Sequence, residues 1–347
     1  MQPQQVLSSF IAIGLPHHCL MRQTVNSSGR WKQLSFNTTS DARIASNFLF
    51  AVSQGFSTCH TYIPRNRRII LLTEPPEVKV YPLAYIKQFG TVVSPMPQPN
   101  GYNGRFIRTS PALPWHYGLD FSTSGGPQVN LDWAQLEHGP KHPKIRQLSV
   151  ICSTKTKTRQ QRQRLDFVAY LQDKLGDQVN VFGRGHREVS DKAEAIAPYR
   201  YHIVLENNVM EHFWTEKLAD SYLGGAFPFY AGAPGLSRYF PKESFMPIDI
   251  REPAKALHII RTEMCASRYE VSSRALAEAK RRVMHDHNLF SVLERAANVA
   301  HPEMQPGALL EKPAMLFPIN HFRSSNFWAN QVLRRAYRLG WLNSESV

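Results

Sequence analysis

Short apolar runs that end in polar or glycine-rich stretches recur along this chain of 347 residues. Residues 68–73 (RIILLT) and 147–152 (QLSVIC) are two of them. A continuous apolar run such as that in RIILLT is typical of a strand that is buried on both faces of a sheet. Between them lie segments whose apolar positions recur at i,i+4 spacing, which is typical of helices. The pattern predicts an α/β protein.

In the first part of the chain the apolar pattern is interrupted by long polar stretches. Strands are predicted at residues 8–14, 68–73 and 92–94. A helix is predicted at 42–53, where Ile44, Phe48 and Val52 follow one another at i,i+4 steps. Residues 98–118 are rich in Pro, Gly and Asn, so we expect them to be mostly loop.

The second part of the chain has a more regular pattern. Strands are predicted at residues 147–152, 179–182, 202–205 and 226–230, and helices at 167–175, 218–223, 254–263, 271–293 and 327–339. The helix at 218–223 has Leu218 and Tyr222 on one face and stops at Gly224-Gly225. A strand, a helix and a second strand therefore follow one another within residues 198–250.

The length favours two α/β domains rather than one core. We predict a first α/β domain at residues 1–143 and a second at 144–320. Residues 122–143 contain Gly125-Gly126-Pro127 and are interpreted as a linker or inter-domain surface. Residues 321–347 are predicted to be a basic helical tail.

Polar residues stand where an α/β sheet builds a ligand site. Glu206 and Asn207 directly follow the strand at 202–205, and Thr215-Glu216-Lys217 opens the next helix. Ligands of open α/β sheets bind beyond the carboxyl ends of the strands. A helix N-terminus favours phosphate, and a lysine beside it adds a full positive charge. The sequence therefore predicts a site for a phosphorylated ligand.

The same segment resembles the donor-binding segment of the α1,3-fucosyltransferases of glycosyltransferase family 10. The shared features, in chain order, are Tyr199-Arg200-Tyr201, Glu206-Asn207, Thr215-Glu216-Lys217, Pro228, Gly232 and Ser244-Phe245. The resemblance implies the GT-B fold, in which two Rossmann-like α/β domains face a central cleft. It also implies an inverting glycosyltransferase that transfers fucose from GDP-fucose to a hydroxyl of a glycan acceptor. The same fold with another nucleotide-sugar donor is an open alternative, and no cofactor is expected.

The resemblance also implies individual site residues. The donor-binding residues implied are Ser153, Arg164, Gly183, Arg184, Tyr201, Glu206, Asn207, Phe213, Glu216 and Lys217. Arg164 and Lys217 would bind the diphosphate, and Glu216 would bind hydroxyls of the ribose or of the transferred sugar. Phe213 stands where the family often has Tyr, so a phenol hydroxyl is missing there.

An inverting transfer needs a general base that deprotonates the acceptor hydroxyl. The resemblance implies that this base is a Glu that follows a strand and precedes Pro. Glu74, after residues 68–73 and before Pro75-Pro76, matches this description. Glu77 and His116 are the alternatives.

Neither a metal site nor a disulfide framework is predicted. No Asp-x-Asp sequence follows a predicted strand, and the four cysteines have no CxxC spacing. His285-Asp286-His287 is a weak metal candidate, because residues two apart on a helix point to different sides. A mechanism in which Lys and Arg replace a metal ion is therefore expected.

The net charge of +14 indicates an anionic partner. Nucleic acid fits this charge as well as a nucleotide sugar does, but the chain lacks a recognisable nucleic-acid reader motif, so no nucleic-acid partner is expected. Residues 322–342 combine arginines with aromatic residues, which suits the surface of an acidic membrane or packing on the first domain. No apolar stretch is long enough to span a membrane. We expect a cytoplasmic protein, with peripheral membrane association through the tail as one alternative.

Overall fold

The computed structural model describes residues 6–11, 15–38, 46–52, 58–140, 143–322 and Arg335. The chain divides into two compact units. Unit 1 comprises Met1–Ala112 together with Asn288–Val347, and unit 2 comprises Leu113–His287.

Most strands of the described residues are short and apolar. They are β1 (Val6–Ile11), β2 (Arg30–Trp31), β3 (Leu34–Thr38), β4 (Phe48–Val52), β5 (Cys59–Thr61), β6 (Arg68–Leu71), β7 (Thr91–Ser94), β8 (Arg105–Arg108), β9 (Leu119–Asp120), β10 (Gln128–Val129), β11 (Arg146–Ile151), β12 (Val179–Phe182), β13 (Tyr199–Leu205), β14 (Phe227–Ala231), β15 (Met246–Pro247) and β16 (Ala314–Leu316).

The helices of the same residues lie mostly in unit 2. They are α1 (His17–Met21), α2 (Leu83–Ile86), α3 (Trp133–His138), α4 (Arg159–Leu175), α5 (Ala193–Ile196), α6 (Glu216–Leu223), α7 (Pro253–Cys265), α8 (Arg268–Val271), α9 (Ser273–His285) and α10 (Leu289–Ala300).

Unit 1 is built around a seven-stranded sheet with the order β2-β3-β1-β4-β6-β7-β8. All neighbouring strands are parallel except β2 and β3. Every residue of β4, β6 and β7 is buried, as expected for strands that are covered on both faces. The predicted strands at 68–73 and 92–94 are confirmed by β6 and β7.

The helix predicted at 42–53 is wrong, because Phe48–Val52 forms β4 in the middle of this sheet. The spacing of Phe48 and Val52 fits a helix face. However, all five residues from Phe48 to Val52 are apolar and buried, so a buried strand fits them equally well. Ile44 lies outside the described residues.

Unit 2 is built around a five-stranded, fully parallel sheet with the order β12-β11-β13-β14-β15. From β11 the chain moves outward to β12 and then returns to β13 on the other side of β11. The strand order thus reverses at β11 and β13, which is the point where open parallel sheets bind ligands beyond their carboxyl ends. The predicted α/β class, with two units that are each built around a mainly parallel sheet, is confirmed.

The unit boundaries differ from the predicted ones at 143 and 320. Residues 113–143 belong to unit 2 and contain α3, which begins with a capping box between Asp132 and Gln135. The helix predicted at 271–293 is two helices, because α9 ends at His285 and the side chain of Asn288 caps α10. With α10 the chain returns to unit 1, where Phe290 packs edge-on against Phe36 at 4.9 Å between ring centroids.

The described part of the last segment contributes to the core of unit 1. Leu316 and Ile319 are buried in it, and β16 pairs with β5. The tail helix predicted at 327–339 lies outside the described residues apart from Arg335. Within the described ranges, no helix has both the length and the apolar character needed to cross a bilayer.

Candidate active site

A polar cavity of about 350 Å³ lies in unit 2 beyond the carboxyl ends of β11 and β13. Its lining residues are His116, Ile151, Ser153, Lys155, Gln161, Arg164, Lys192, Ile196, His202, Ile203, Val204, Leu205, Asn207, Glu216, Lys217 and Asp220. A cavity of this size can hold a small molecule. Its place at the switch point of the sheet matches the site that the sequence predicts.

The start of α6 forms one wall of the cavity. Thr215 caps the helix, and its hydroxyl accepts a hydrogen bond from the Lys217 N–H at 3.4 Å. Glu206, fully buried after β13, accepts two bonds from Thr215: one from its N–H at 2.8 Å and one from its hydroxyl at 2.7 Å. The polar residue after the strand therefore fixes the beginning of the helix.

Glu206, Glu216 and Lys217 form a dense charge cluster at this helix start. The Lys217 Nζ lies 3.0 Å from Glu216 Oε1 and 3.7 Å from Glu206 Oε2. Burial alone would lower the pKa of Lys217, but the two carboxylates more than offset this, and its pKa is raised. Burial raises the pKa of Glu206 more than Lys217 lowers it. Lys217 therefore carries its positive charge throughout the physiological pH range.

Glu216 remains ionised because the neighbouring ammonium groups outweigh the effect of burial on its pKa. Burial alone would raise its pKa, but the ammonium groups of Lys217 and Lys192 hold it well below the usual range. Lys192 Nζ lies 4.0 Å from Glu216 Oε1. A carboxylate held in this way is a fixed hydrogen-bond acceptor.

Arg164 also lines the cavity and lies in the second turn of α4. This helix begins with a capping box formed by Thr158 and Gln161. The Arg164 Nη1 donates to Asn207 Oδ1 at 2.5 Å and to the Leu205 carbonyl at 3.2 Å. The buried Nε of Arg164 has no hydrogen-bond partner among the described residues. Burial lowers the pKa of Arg164, yet a guanidinium stays charged, and this N–H is available to a ligand.

The third wall comes from the loop before β9 and from Lys192. The carboxylate of Asp220, one turn after Glu216 on α6, is fully buried. Its Oδ1 accepts the N–H groups of His116 and Tyr117, each at 2.9 Å, and its Oδ2 accepts from Lys192 Nζ at 2.6 Å. One acidic residue thus holds both the loop and a cation at the cavity.

Cations outnumber carboxylates in this cavity. Four of the lining side chains are cationic (Lys155, Arg164, Lys192, Lys217), and two are carboxylates (Glu216, Asp220). The excess of two positive charges in a partly buried site favours an anion such as a diphosphate.

Of the residues expected to bind donor, five line this cavity: Ser153, Arg164, Asn207, Glu216 and Lys217. Glu206 lies directly beneath them and supports Thr215. Tyr201 and Phe213 do not line it. The Tyr201 ring stacks on Phe229 at 5.6 Å and its hydroxyl accepts from the Tyr269 N–H, while Phe213 is buried in the protein.

Gly183 and Arg184 also lie outside the lining, and both contact the segment after β11 through their backbone. Gly183 has φ +118°, and a Cβ there would lie 2.4 Å from the Cys152 carbonyl oxygen. The Arg184 carbonyl accepts from the Thr154 N–H at 3.1 Å, and its side chain is exposed. These two residues position the loop that carries Ser153.

Sequence reasoning did not assign Lys192 and Asp220 to the site. Lys192 precedes a helix of only four residues, α5, in a segment without a recognisable motif. Asp220 could have been found, because it follows Glu216 by four residues and so shares its face of the helix.

The three candidates for the catalytic base fall in different units. Glu74 and Glu77 are half-buried in unit 1, just beyond the carboxyl end of β6, and the backbone N–H of Glu74 donates to the Tyr81 hydroxyl at 3.3 Å. His116 belongs to unit 2 and lines the cavity described above. Among the described residues there is no group of three or more His, Cys, Asp or Glu that could hold a metal ion.

Residues 143–263 match the family model described as glycosyltransferase family 10 (fucosyltransferase), C-terminal. This match covers most of unit 2, including β11 to β15 and every wall of the cavity except the loop that carries His116. It confirms the resemblance that the sequence shows.

Several solved structures are similar to this chain at low identity. A crystal structure of an α1,3-fucosyltransferase with GDP is 15% identical, with a TM-score of 0.49, covering 78% of this chain and 82% of that one. A second α1,3-fucosyltransferase structure is 14% identical, with a TM-score of 0.49 and coverage of 90% and 93%. An alpha-glucosyltransferase in complex with UDP and DNA is 9% identical, with a TM-score of 0.48 and coverage of 85% and 100%.

Proposed function

We propose that this chain, whose residues 143–263 match the family model of glycosyltransferase family 10 (fucosyltransferase), is a glycosyltransferase that transfers fucose from GDP-fucose to a hydroxyl of a glycan acceptor, with inversion at the sugar carbon. The observation that carries the proposal is the cavity at β11 and β13. There Arg164 and Lys217 line a cavity that has an excess of positive charge.

The donor's diphosphate is assigned to the cationic side of this cavity. The unpartnered Nε of Arg164 donates to one phosphate oxygen, and the Lys217 ammonium contacts another. Lys192, held by Asp220, adds a third cation that was not expected from the sequence. The ionised Glu216 accepts hydrogen bonds from hydroxyls of the ribose or of the transferred sugar.

In the proposed reaction Glu74 removes the proton from the acceptor hydroxyl. The acceptor oxygen then forms a bond to the anomeric carbon of fucose, and the bond from that carbon to the GDP oxygen breaks on the opposite face. The negative charge that develops on the departing GDP is stabilised by Lys217 and Arg164. We propose that these two side chains serve where other enzymes use a metal ion, so transfer continues in excess chelator.

Titration calorimetry with GDP, GDP-fucose, GDP-mannose and UDP tests the donor assignment. We expect GDP and GDP-fucose to bind in the micromolar range, and UDP to bind at least tenfold more weakly. Equal affinity for UDP and GDP would contradict a GDP-sugar donor and leave the alternative of another nucleotide sugar. Transfer that stops completely in chelator would contradict the metal-independent mechanism.

We also propose that the acceptor is a cell-surface or lipid-linked polysaccharide, and that the enzyme works in the cytoplasm at the inner face of the membrane. The support is the basic and aromatic composition of residues 322–342. Such a segment is attracted to anionic lipids, near which a lipid-linked acceptor is found.

A further inference from the structure

The loop at residues 113–118 contributes to the donor cavity, although it precedes the family-matched segment 143–263. Its sequence is Leu-Pro-Trp-His-Tyr-Gly. Among its residues His116 lines the cavity, whereas the neighbouring Trp115 and Tyr117 are buried in unit 2. The loop therefore presents one imidazole to the same space as Glu216 and Lys217.

Buried carboxylates hold this loop in place by three hydrogen bonds to consecutive backbone N–H groups. Asp220 Oδ1 accepts from His116 and Tyr117, and Asp191 Oδ1 accepts from Gly118 at 2.8 Å. Asp191 and Asp220 are 6% and 0% exposed. Because the backbone on both sides of the Cα of His116 is fixed, the direction of its Cα–Cβ bond is fixed too.

The imidazole itself is available to a ligand. Its ring packs edge-on against Phe121 at 5.1 Å, and none of the described residues forms a hydrogen bond with its nitrogens. Burial lowers the pKa of His116 to about 4, and the Lys192 ammonium acts in the same direction. At neutral pH the ring is therefore uncharged, with one nitrogen that donates and one that accepts.

These properties make His116 better suited to bind a sugar hydroxyl than to bind a diphosphate or to act as a base. A neutral imidazole adds no charge for a diphosphate, for which the lysines and Arg164 are present. With so low a pKa it is also a weak base for an acceptor hydroxyl. A hydroxyl both donates and accepts, as the ring does, and the adjacent Glu216 carboxylate can accept only.

On the basis of the proposed function, we infer that His116 is a donor-binding residue whose imidazole forms a hydrogen bond with a sugar hydroxyl of the nucleotide sugar, beside the hydroxyl bound by Glu216. This hydroxyl belongs either to the ribose or to the transferred sugar. GDP contains only the ribose and GDP-fucose contains both, so a comparison of the two ligands distinguishes these sources.

The test is to measure the affinities of wild type, His116→Leu and His116→Gln for GDP and GDP-fucose by calorimetry. His116→Leu should weaken GDP-fucose roughly three- to tenfold, since a neutral hydrogen bond is lost. If the hydroxyl is on the transferred sugar, GDP affinity is unchanged; if it is on the ribose, both affinities fall equally. His116→Gln, which can still donate and accept, should restore a large part of the affinity.

The matched control is His258→Leu, which replaces an exposed histidine on α7. This variant should bind both ligands as wild type does.

Three results would overturn the inference. The first is that His116→Leu binds both ligands within twofold of wild type. The second is that both His116 variants lose affinity together with a lower melting temperature, which would make His116 a purely structural residue. The third is that the affinity lost in His116→Leu disappears as the pH rises from 6 to 8, since only a charged ring paired with phosphate behaves in that way. Failure of the wild type to bind GDP at all would overturn the proposed function along with the inference.

Discussion

At the scale of single residues, the proposed enzyme depends on two cations that are held in different ways. Lys217 is surrounded by carboxylates and keeps its charge because of them, whereas Arg164 is buried and bonded to neutral oxygen atoms. Both present a donor to the cavity.

Replacing either cation should weaken donor binding. Hydrogen bonds to charged groups contribute about 1.5–3 kcal/mol. Lys217→Met and Arg164→Met are therefore each expected to raise the dissociation constant of GDP roughly 10- to 150-fold in calorimetry. Lys157→Met, in the exposed basic run outside the cavity lining, is the matched control and should change it less than twofold. Wild-type affinity in both cavity variants would mean that the diphosphate binds elsewhere.

Glu74 should matter for transfer and not for donor binding. Glu74→Gln keeps the shape of the side chain and removes its basicity, so we expect near-normal GDP affinity and a fall in kcat on the order of a hundredfold or more. Glu77→Gln is the control, because Glu77 lies three residues away in the same unit, and we expect its effect to be small. A transfer rate for Glu74→Gln close to that of wild type would exclude Glu74 as the base and make Glu77 the next residue to substitute.

At the scale of elements, close contacts between strand ends determine where the site residues lie. Gly183 follows β12 with a backbone conformation that favours glycine, and it packs against the Cys152 carbonyl at the end of β11. Cys152 immediately precedes Ser153, which lines the cavity.

Gly183→Ala should destabilise unit 2. Its Cβ would meet the Cys152 carbonyl oxygen at 2.4 Å, and its φ is +118°. Strain of this kind costs about 1–3 kcal/mol, so the melting temperature should fall by roughly 2–12 °C in a thermal denaturation experiment. Gly125→Ala, where an added Cβ meets nothing within 4 Å, should leave it nearly unchanged. Lost GDP affinity without a change in melting temperature would instead make Gly183 a donor contact.

The sequence allows more to be predicted about unit 2 than about unit 1. Its main strands are followed closely by polar residues or glycine, and Thr215 and Gly224 delimit α6. In unit 1 a similar run, Phe48–Val52, was predicted to be helical, because five apolar residues fit both periodicities.

The residues predicted after the two strands and at the helix start, Ser153, Asn207, Glu216 and Lys217, line one cavity. Sequence reasoning could not identify partners that depend on tertiary contacts. Nothing in the local sequence of Lys192 or His116 shows that Asp220 holds them, since these residues are far apart in the chain. Conversely, Tyr201 and Phe213 lie among motif residues but face the protein interior.

At the scale of the whole molecule, the effect of a C-terminal truncation on the melting temperature depends on whether it removes residues of the core of unit 1. Leu316 and Ile319 are buried in the core of unit 1, and Phe322 packs against that core. Truncation after Phe322 should therefore leave the melting temperature within about 2 °C of wild type, whereas truncation after Pro318 removes Ile319 and should lower it by several degrees.

The same two truncations test the proposed membrane association. The chain ending at Phe322 should transfer fucose to soluble acceptors at the wild-type rate but no longer sediment with vesicles that contain anionic lipid. Unchanged sedimentation would exclude the tail as the membrane-binding segment. Melting temperature and activity that fall together in this variant would show that residues 323–347 pack on the protein.

The return of the chain to unit 1 at Asn288 has a consequence for folding during synthesis. All of unit 2 leaves the ribosome before α10, and α10 packs against β2, β6 and β7 of the seven-stranded sheet, whose strands were all made before unit 2. The seven-stranded sheet must therefore wait, with apolar surface uncovered, while about 175 residues are translated, which takes roughly 9–35 seconds at typical rates. Unit 1 therefore begins first and is completed last, whereas the residues of unit 2 are contiguous in the chain.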